Sequence, residues 1–254
     1  MPMSIPVLDQ LDRRLRRREA LVALGGAGLA GVLGAAAPLR GGGTAEAASC
    51  VLTPEVTEGP YWIDTSLTRR NITEGRPGLP LEVVFSVQNA KTCQAMKGAD
   101  VEIWHCDAGG EYSGYESLSQ GGGPRASGAQ GGGHQAPTSS THYLRGHQKS
   151  DAKGRAEFLT VFPGWYRGRT PHIHLKVHVG GRVVHTGQVF FNERTTAAVY
   201  RQSPYRTHGQ PDTLHAADSI FRQAGGSSAV LRLARRSGSR KGYRGHITLG
   251  VATS

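Results

Sequence analysis

Acidic residues are scarce in this chain. Its 254 residues include 19 Asp and Glu against 30 Lys and Arg, a formal net charge of +11 at pH 7. Much of the excess lies in a basic C-terminal region formed by Arg232, Arg235, Arg236, Arg240, Lys241 and Arg244. No nucleic-acid-reading motif and no interleaved aromatic residues accompany these cations, which argues against nucleic-acid binding. Contact with an anionic polymer and an ordinary solvated basic face both fit the region.

The chain also lacks a long, strongly apolar run. The nearest candidate, residues 20–38, is glycine-rich and only modestly hydrophobic, which argues against a transmembrane anchor. Arginines occupy five of the six positions 13–18 before it, as in a twin-arginine signal peptide. An A-x-A pattern at residues 45–47 predicts cleavage there. We therefore expect residues 1–47 to be a twin-arginine signal peptide and residues 48–254 to be a secreted domain with no stable membrane insertion.

Cysteine is rare, with only Cys50, Cys93 and Cys106. The usual leucine three residues before a lipid-bearing cysteine is missing, so a lipid anchor through Cys50 is a minor alternative to secretion. An oxidising compartment permits disulfides. We expect Cys50 to pair with Cys93 and Cys106 to remain a buried thiol, although the sequence alone does not fix the connectivity.

The mature chain shows no internal repeat and little helical periodicity. Alternating or β-branched segments lie between turn signals at residues 81–88, 99–105, 156–162, 172–179, 182–191 and 247–251. Helical patterns are confined to residues 216–223 and, more weakly, 195–200. The pattern predicts a mainly β fold, a two-sheet β-sandwich with long loops and few short helices. Residues 118–141 contain two Gly-Gly-Gly runs and are interpreted as a flexible surface loop.

The sharpest chemical signal is Pro171-His172-Ile173-His174-Leu175, in a segment that favours a β-strand. The period of two places His172 and His174 on one face, where two imidazoles can converge on one metal ion. Alone, this pair fits a solvent-facing pair or a zinc site equally well. His178 shares the same face but lies about 13 Å along the strand from His174, too far to bind the same ion.

Two tyrosine motifs precede the histidine pair. They are Gly-x-Tyr at residues 110–112 and Pro-Gly-x-Tyr at residues 163–166, followed by Arg-x-x-His-x-His at residues 169–174. This order resembles the intradiol ring-cleavage dioxygenases, the family of catechol 1,2-dioxygenase and protocatechuate 3,4-dioxygenase, and above all its secreted single-chain members. The likeness extends from Cys50 to about Phe221, with further matching blocks at residues 50–61, 103–108, 144–148 and 187–191.

The resemblance implies a mononuclear, non-haem Fe(III) centre with four protein ligands: Tyr112, Tyr166, His172 and His174. This set suits iron(III), because a hard cation prefers anionic oxygen and can deprotonate a phenol, whereas zinc has little need of two tyrosinates. Tyr115 is the alternative to Tyr112, but the Gly-x-Tyr context favours Tyr112. The shorter stretch between Tyr166 and Arg169 and the long glycine-rich insertion distinguish the chain from larger members and affect pocket shape.

The resemblance also implies catalytic roles. Arg169 matches an active-site cation that stabilises the electron-rich ring and a developing oxyanion. Gln188 falls behind the ligands, where it either positions them or is merely a structural strand residue. Tyr166 is expected to leave the metal when substrate binds and to take a substrate proton. Arg169 as an ordinary surface arginine on a turn is the alternative.

The implied reaction inserts both atoms of O2 into a catechol-type ring, between the hydroxylated carbons, and yields a muconate-type diacid. Export suggests aromatic substrates met outside the cell, such as lignin-derived catechols. Two other interpretations stand beside it: a secreted β-sandwich binding module without catalysis, and a zinc or copper enzyme built on His172 and His174. The histidines outside the motif are expected to have ordinary structural or surface roles: His105, His134, His142, His147, His185, His208, His215 and His246.

Overall fold

The structure is a computed structural model, and it describes residues 50–119, 135–238 and 241–253. Within these residues eight strands form two four-stranded sheets. The strands are β1 (Pro80–Asn89), β2 (Asp100–Trp104), β3 (Arg145–Lys149), β4 (Arg155–Val161), β5 (His172–Val179), β6 (Arg182–Phe190), β7 (Arg232–Arg236) and β8 (Gly242–Val251). The strand orders are β4-β1-β8-β7 and β3-β2-β5-β6. The predicted two-sheet β-sandwich is confirmed.

Strands β1 and β8 pair in parallel, and the other named pairs are antiparallel. The core lies between the sheets. It includes Val83 and Phe85 from β1, Ile173 and Leu175 from β5, and Leu249 from β8, all essentially inaccessible to solvent. Alternation along each strand therefore buries one face against the other sheet.

The sequence pattern did not predict β3 and β7. Both are edge strands, and their sequences, RGHQK and RLARR, lack the apolar alternation of a central strand. Charged residues are typical of edge strands, because they discourage pairing with another chain. The sequences of these two strands therefore do not show the hydrophobic periodicity that predicts a strand.

Among the described residues, three short α-helices lie outside the sheets: α1 (Glu116–Ser119), α2 (Glu193–Val199) and α3 (Ser219–Gln223). The described residues also include the 3-10 turns Tyr205–Thr207 and Gly226–Ala229. The predicted helices correspond to α2 and α3, although α3 begins three residues later than residue 216. Asp218 caps α3, because its side chain accepts hydrogen bonds from the main-chain nitrogens of Ile220 and Phe221.

A disulfide joins Cys50 to Cys93, and Cys106 is a buried free thiol, so both cysteine predictions are confirmed. The bond links the start of the described chain to the turn after β1. Next to it, Thr53 donates a main-chain hydrogen bond to Gly250 in β8. The segment before β1 is therefore attached to the sandwich at several points.

Two predictions fall outside the described residues. The predicted signal peptide, residues 1–47, lies there entirely, as do residues 120–134 of the predicted glycine-rich loop. No helix among the described residues combines the length and apolar character needed to cross a membrane.

The described residues of the basic C-terminal region lie on β7, on β8 or directly before β8. Arg236 and Arg244 both form ion pairs with Glu82, a buried carboxylate of β1. Part of this region's charge is thus neutralised within the sheet, and Arg240 lies outside the described residues. Its contact with an anionic polymer stays a prediction.

Candidate metal centre

Strand β5 carries the histidine pair. Ile173 and Leu175 point into the core, so His172 and His174 lie on the outer face of their sheet, as the period of two predicts. Both imidazoles are nevertheless buried. They are covered in part by the segment before β1 and by the loop that follows β2.

Four side-chain atoms converge in front of β5. Tyr112 Oη lies 3.1 Å from His174 Nε2 and 3.5 Å from His172 Nε2. Tyr166 Oη lies 3.4 Å from His172 Nε2, and the two Nε2 atoms are 3.0 Å apart. Two donors that each lie about 2.1 Å from one ion, at angles between 90° and tetrahedral, are separated by about 3 to 3.5 Å. The observed spacing is therefore that of ligands around a single metal ion.

Hydrogen bonds identify the protonated nitrogen of His172. Its Nδ1 lies 2.7 Å from the carbonyl oxygen of Thr170, which can only accept, so Nδ1 carries the proton and Nε2 presents a lone pair. A proton on His174 Nε2 can form a hydrogen bond to only one of its two neighbours, Tyr112 Oη and His172 Nε2. A cation at the centre would interact with all the converging atoms at once. The donor set therefore fits a metal ion.

The ring of His174 is held between an indole and a glycine. Trp104 stacks on it, with ring centroids 5.0 Å apart and planes 8° from parallel. Gly59 lies on a left-handed backbone at φ 78°, and a Cβ added there would be 2.9 Å from His174 Cε1. Only glycine lets the chain pass this close without displacing the imidazole.

Burial controls the protonation of the four groups. It raises the pKa of Tyr112 well above its ordinary value, and the neighbouring Tyr166 adds to the effect. It also raises the pKa of Tyr166, which the guanidinium of Arg169 partly offsets. Burial lowers the pKa of His172 and of His174 well below the ordinary histidine value. All four groups are therefore neutral without a metal, and phenolates here require a compensating cation.

Arg169 lies beside the converging atoms. Its Nη1 is 3.4 Å from Tyr166 Oη, and its Nε donates to Asp218 Oδ2 at 2.9 Å. Its Nη2 donates to Gln188 Oε1 at 2.5 Å, and Gln188 Nε2 in turn donates to the carbonyl of Thr57 at 2.9 Å. Burial opposes the charge of the guanidinium, but Tyr166 and Asp218 outweigh it and raise the pKa of Arg169. The arginine is thus a fixed cation aimed at the phenol.

Solved structures share both this fold and part of the sequence. The intradiol ring-cleavage dioxygenase from Tetranychus urticae is 35% identical; the alignment covers 80% of this chain and 95% of that chain, with a TM-score of 0.71. The chain belongs to the intradiol ring-cleavage dioxygenases. It is therefore an oxidoreductase of the dioxygenase class, and the enzyme prediction is confirmed over the non-catalytic binding module.

Two less similar solved structures extend the comparison. The dioxygenase domain of a carbohydrate-binding fusion protein from Streptomyces sp. SirexAA-E is 27% identical, with 80% of this chain and 100% of that chain covered and a TM-score of 0.54. Hydroxyquinol 1,2-dioxygenase from Pseudomonas putida DLL-E4 shares the fold at 16% identity, with 81% and 68% covered and a TM-score of 0.56. No protein-family profile and no curated protein matches the sequence of this dioxygenase.

Tyr115 of the dioxygenase points away from the convergence. Its Oη lies 3.0 Å from the carbonyl of Trp62 and 2.9 Å from that of Gln135. Tyr61 packs between Tyr112 and Tyr115, with ring centroids 4.8 and 5.1 Å away. Burial, followed by the electrostatic influence of a Tyr166 phenolate, raises the pKa of Tyr61 to about 12. The site therefore has an aromatic wall that excludes water.

Most other histidines of the dioxygenase lie elsewhere. His105 is held between the carbonyl of Cys106 and Thr160 Oγ1, both at 2.7 Å. His246 contacts Ser86 on the other sheet. His134 lies outside the described residues. His147 lies in a group with Glu102 and His178 further along the outer face, and the ordinary role expected for His147 stays a prediction.

Sequence reasoning missed two groups of the site in this dioxygenase. Asp218 holds Arg169, and the carbonyl of Thr57 accepts from Gln188. Asp218 carries a recognisable signal as the residue that caps a short helix, but its partner is 49 residues away. Thr57 acts through its main chain, for which side-chain motifs give no indication.

Proposed function

We propose that the protein is an Fe(III)-dependent intradiol dioxygenase that inserts both atoms of O2 into a catechol-type ring, between the hydroxylated carbons, and yields a muconate-type diacid. The observation that carries the proposal is the convergence of two phenols and two imidazoles, with neighbouring donor atoms 3.0–3.5 Å apart. Tyr112, Tyr166, His172 and His174 would hold the metal.

The chemistry of these donors favours a trivalent ion. Two phenolates and a hydroxide neutralise three positive charges, and a neutral centre tolerates this degree of burial. With the same ligands, a divalent zinc or copper ion would leave the whole centre with a net negative charge. When bound, iron(III) supplies Lewis acidity that withdraws electron density from a chelating catechol.

The residues around the centre have separate tasks. Tyr166, whose Oη lies at hydrogen-bond distance from Arg169, accepts a proton at that oxygen from a substrate hydroxyl. Arg169 presents a fixed positive charge toward the substrate and stabilises negative charge as it develops. Gln188 and Asp218 hold this guanidinium in place, so no reorganisation is needed during the reaction.

Substrates of the catechol class agree with the solved relatives. Hydroxyquinol 1,2-dioxygenase and 3-chlorocatechol 1,2-dioxygenase have the same fold, and their names record ortho-dihydroxylated rings. The Streptomyces relative comes from a cellulolytic bacterium and is fused to a carbohydrate-binding protein. For this chain we favour catechols derived from plant phenolics.

We further propose that the protein works outside the cytoplasm. The arginine-rich segment at residues 13–18 and the glycine-rich run after it support export by the twin-arginine route. The disulfide between Cys50 and Cys93 fits an oxidising compartment. Fractionation of the native host should place the protein outside the cytoplasm, and a variant with Lys in place of the arginines at 13–18 should stay inside.

The visible spectrum of the purified protein tests the metal and the substrate together. A broad phenolate-to-iron(III) band that moves to longer wavelength on anaerobic addition of catechol would support the proposal. Oxygen uptake with formation of a muconate-type product would then establish the reaction. A featureless spectrum that persists after reconstitution with ferric iron would overturn it.

A further inference from the structure

A second group of metal-ligating side chains lies on the outer face of the same sheet. It consists of Glu102 on β2, His147 on β3 and His178 on β5, and one ligand atom from each lies within 4.8 Å of the others. His178 Nε2 is 3.0 Å from Glu102 Oε2, and His147 Nε2 is 3.8 Å from Glu102 Oε1. Three adjacent strands therefore each contribute one donor to a single point.

One nitrogen in this group is unsatisfied. His147 is 8% exposed, and its Nε2 is buried without a hydrogen-bond partner among the described residues. Its Nδ1 lies 3.3 Å from Asp100 Oδ2, an acceptor that draws the ring proton to Nδ1. Nε2 of His147 then carries a lone pair that faces the carboxylate oxygen Oε1 of Glu102. Two electron-rich atoms that face each other in a buried site are stabilised by a cation between them.

Neighbouring side chains pair with the other charged groups around Glu102. Lys176, opposite Glu102 in the sheet, places its ammonium group 2.5 Å from the carboxylate of Glu58 and 3.7 Å from the centre of the Trp62 ring. Trp62 Nε1 donates to Glu102 Oε1 at 2.8 Å and orients that carboxylate. Asp100 orients His147 in the way that carboxylates orient histidine ligands of zinc.

We propose that Glu102, His147 and His178 form a second metal site that takes one divalent transition-metal ion, represented by Zn²⁺. Two imidazoles and one carboxylate suit zinc and its neighbours and leave a position for water. The site is separate from the first centre, because His178 lies about 13 Å along β5 from His174. It lacks phenolates and would not hold ferric iron in the manner of Tyr112 and Tyr166.

The position of the second site assigns it a structural task. An ion there would link β2, β3 and β5 and fix Glu102, which holds the indole of Trp62. The neighbouring residue, Tyr61, belongs to the aromatic wall of the first centre. Zinc would therefore stabilise the face of the sheet that carries the active site, without contacting substrate.

Zinc binding to the iron-loaded, full-length protein tests the proposal. The protein is equilibrated with ZnCl2, freed of unbound ions, and analysed for zinc and iron, while titration calorimetry gives the dissociation constant. The expected result is one zinc per chain with iron and the visible band unchanged, and a melting temperature that rises with zinc concentration. Zinc that enters only as iron leaves would overturn the proposal, as would no zinc binding.

Variants locate the bound zinc. His178→Gln and His147→Gln are each expected to weaken zinc binding about 100-fold, since even an outer partner of a metal ligand is worth about 10- to 100-fold. His246→Gln, an exposed histidine on the other sheet, should bind zinc as the wild type does. If the His147→Gln variant does not fold, the His178→Gln variant provides the test, because the side chain of His178 is 19% exposed. Unchanged zinc affinity in His178→Gln would overturn the proposal.

Discussion

Arg169 donates from Nε to the buried carboxylate of Asp218 at 2.9 Å, while Nη1 of the same guanidinium lies 3.4 Å from Tyr166 Oη. One residue outside the sequence motif thus holds the cation that faces Tyr166, a proposed metal ligand. Asp218 also accepts from the main-chain nitrogen of Thr170 and caps α3, so it joins the active site to a helix.

The Asp218→Asn variant should separate this positioning role from helix capping. Asn keeps an oxygen for the cap but loses the charge that holds Arg169, so we expect kcat/KM to fall about 10- to 100-fold. Steady-state oxygen uptake measures the change, and the pH profile of kcat should shift because Arg169 no longer sits firmly beside Tyr166. Asp212→Asn is the matched control, since Asp212 contacts the same loop at Gly168 but not Arg169. Equal losses in both variants would indicate a loop effect only.

Tyr112 and Tyr115 offer a comparison within one turn of chain. Tyr112→Phe removes a converging oxygen, and we expect at least about 100-fold weaker iron binding and a changed visible band. Tyr115→Phe removes only hydrogen bonds to main-chain carbonyls, so it should keep the band and lose about 1 kcal/mol of unfolding free energy. Iron content and absorption spectra of both proteins measure the difference. Loss of the band in Tyr115→Phe alone would reverse the ligand assignment.

Tyr166→Phe should impair turnover more than metal binding. Three of the four proposed ligands remain, whereas the proposed proton acceptor for the substrate hydroxyl is gone, so kcat should fall about 10²- to 10⁴-fold. The anaerobic catechol spectrum tests whether substrate still reaches the iron. Wild-type turnover in this variant would exclude Tyr166 as the acceptor.

His105 should make the fold sensitive to acid. Burial lowers the pKa of His105 to about 4 from 6.5 and outweighs the opposing hydrogen bond to Cys106. Below pH 6.5 His105 is protonated in the unfolded chain, whereas in the folded chain it is protonated only near pH 4. The unfolding free energy should therefore fall by about 3 kcal/mol between these values as pH decreases. Urea denaturation of wild type and His105→Gln measures it; the variant should show a flatter dependence, and equal slopes would contradict the prediction.

The disulfide between Cys50 and Cys93 spans 43 residues. A cross-link over such a loop is worth about 4 kcal/mol through the entropy of the unfolded chain. The double variant Cys50→Ser, Cys93→Ser should lose an amount of this order in urea denaturation. A reducing agent should lower the melting temperature of the wild type but not that of the double variant, where only the buried Cys106 remains.

The sequence allowed the central strands and the position of the histidine pair to be predicted, because both depend on local periodicity. A period of two is enough to place His172 and His174 together. Tyr112 and Tyr166 come from loops, and only the order of motifs in a known family pointed to them. The fold places the phenol oxygens of Tyr112 and Tyr166 next to the imidazoles of His172 and His174.

What escaped prediction depends on contacts between distant parts of the chain. Asp218 meets Arg169 across 49 residues, and Glu102 meets His178 across 76. Neither pair forms a spacing that a motif could record. Strands β3 and β7 escaped for a different reason, since polar sheet edges do not show the apolar alternation of a strand.

The parallel pairing of β1 with β8 has a consequence for biosynthesis. Leu81 lies opposite Tyr243, so the first strand of its sheet finds a central neighbour only after more than 150 further residues have been made. A nascent chain that has not reached Gly242 exposes the hydrogen-bonding edge of β1 to whatever strand it meets. We therefore expect this sheet to be complete only after β8 has been translated, and a ribosome-bound chain that ends before Gly242 to be prone to pairing with other strands along that edge.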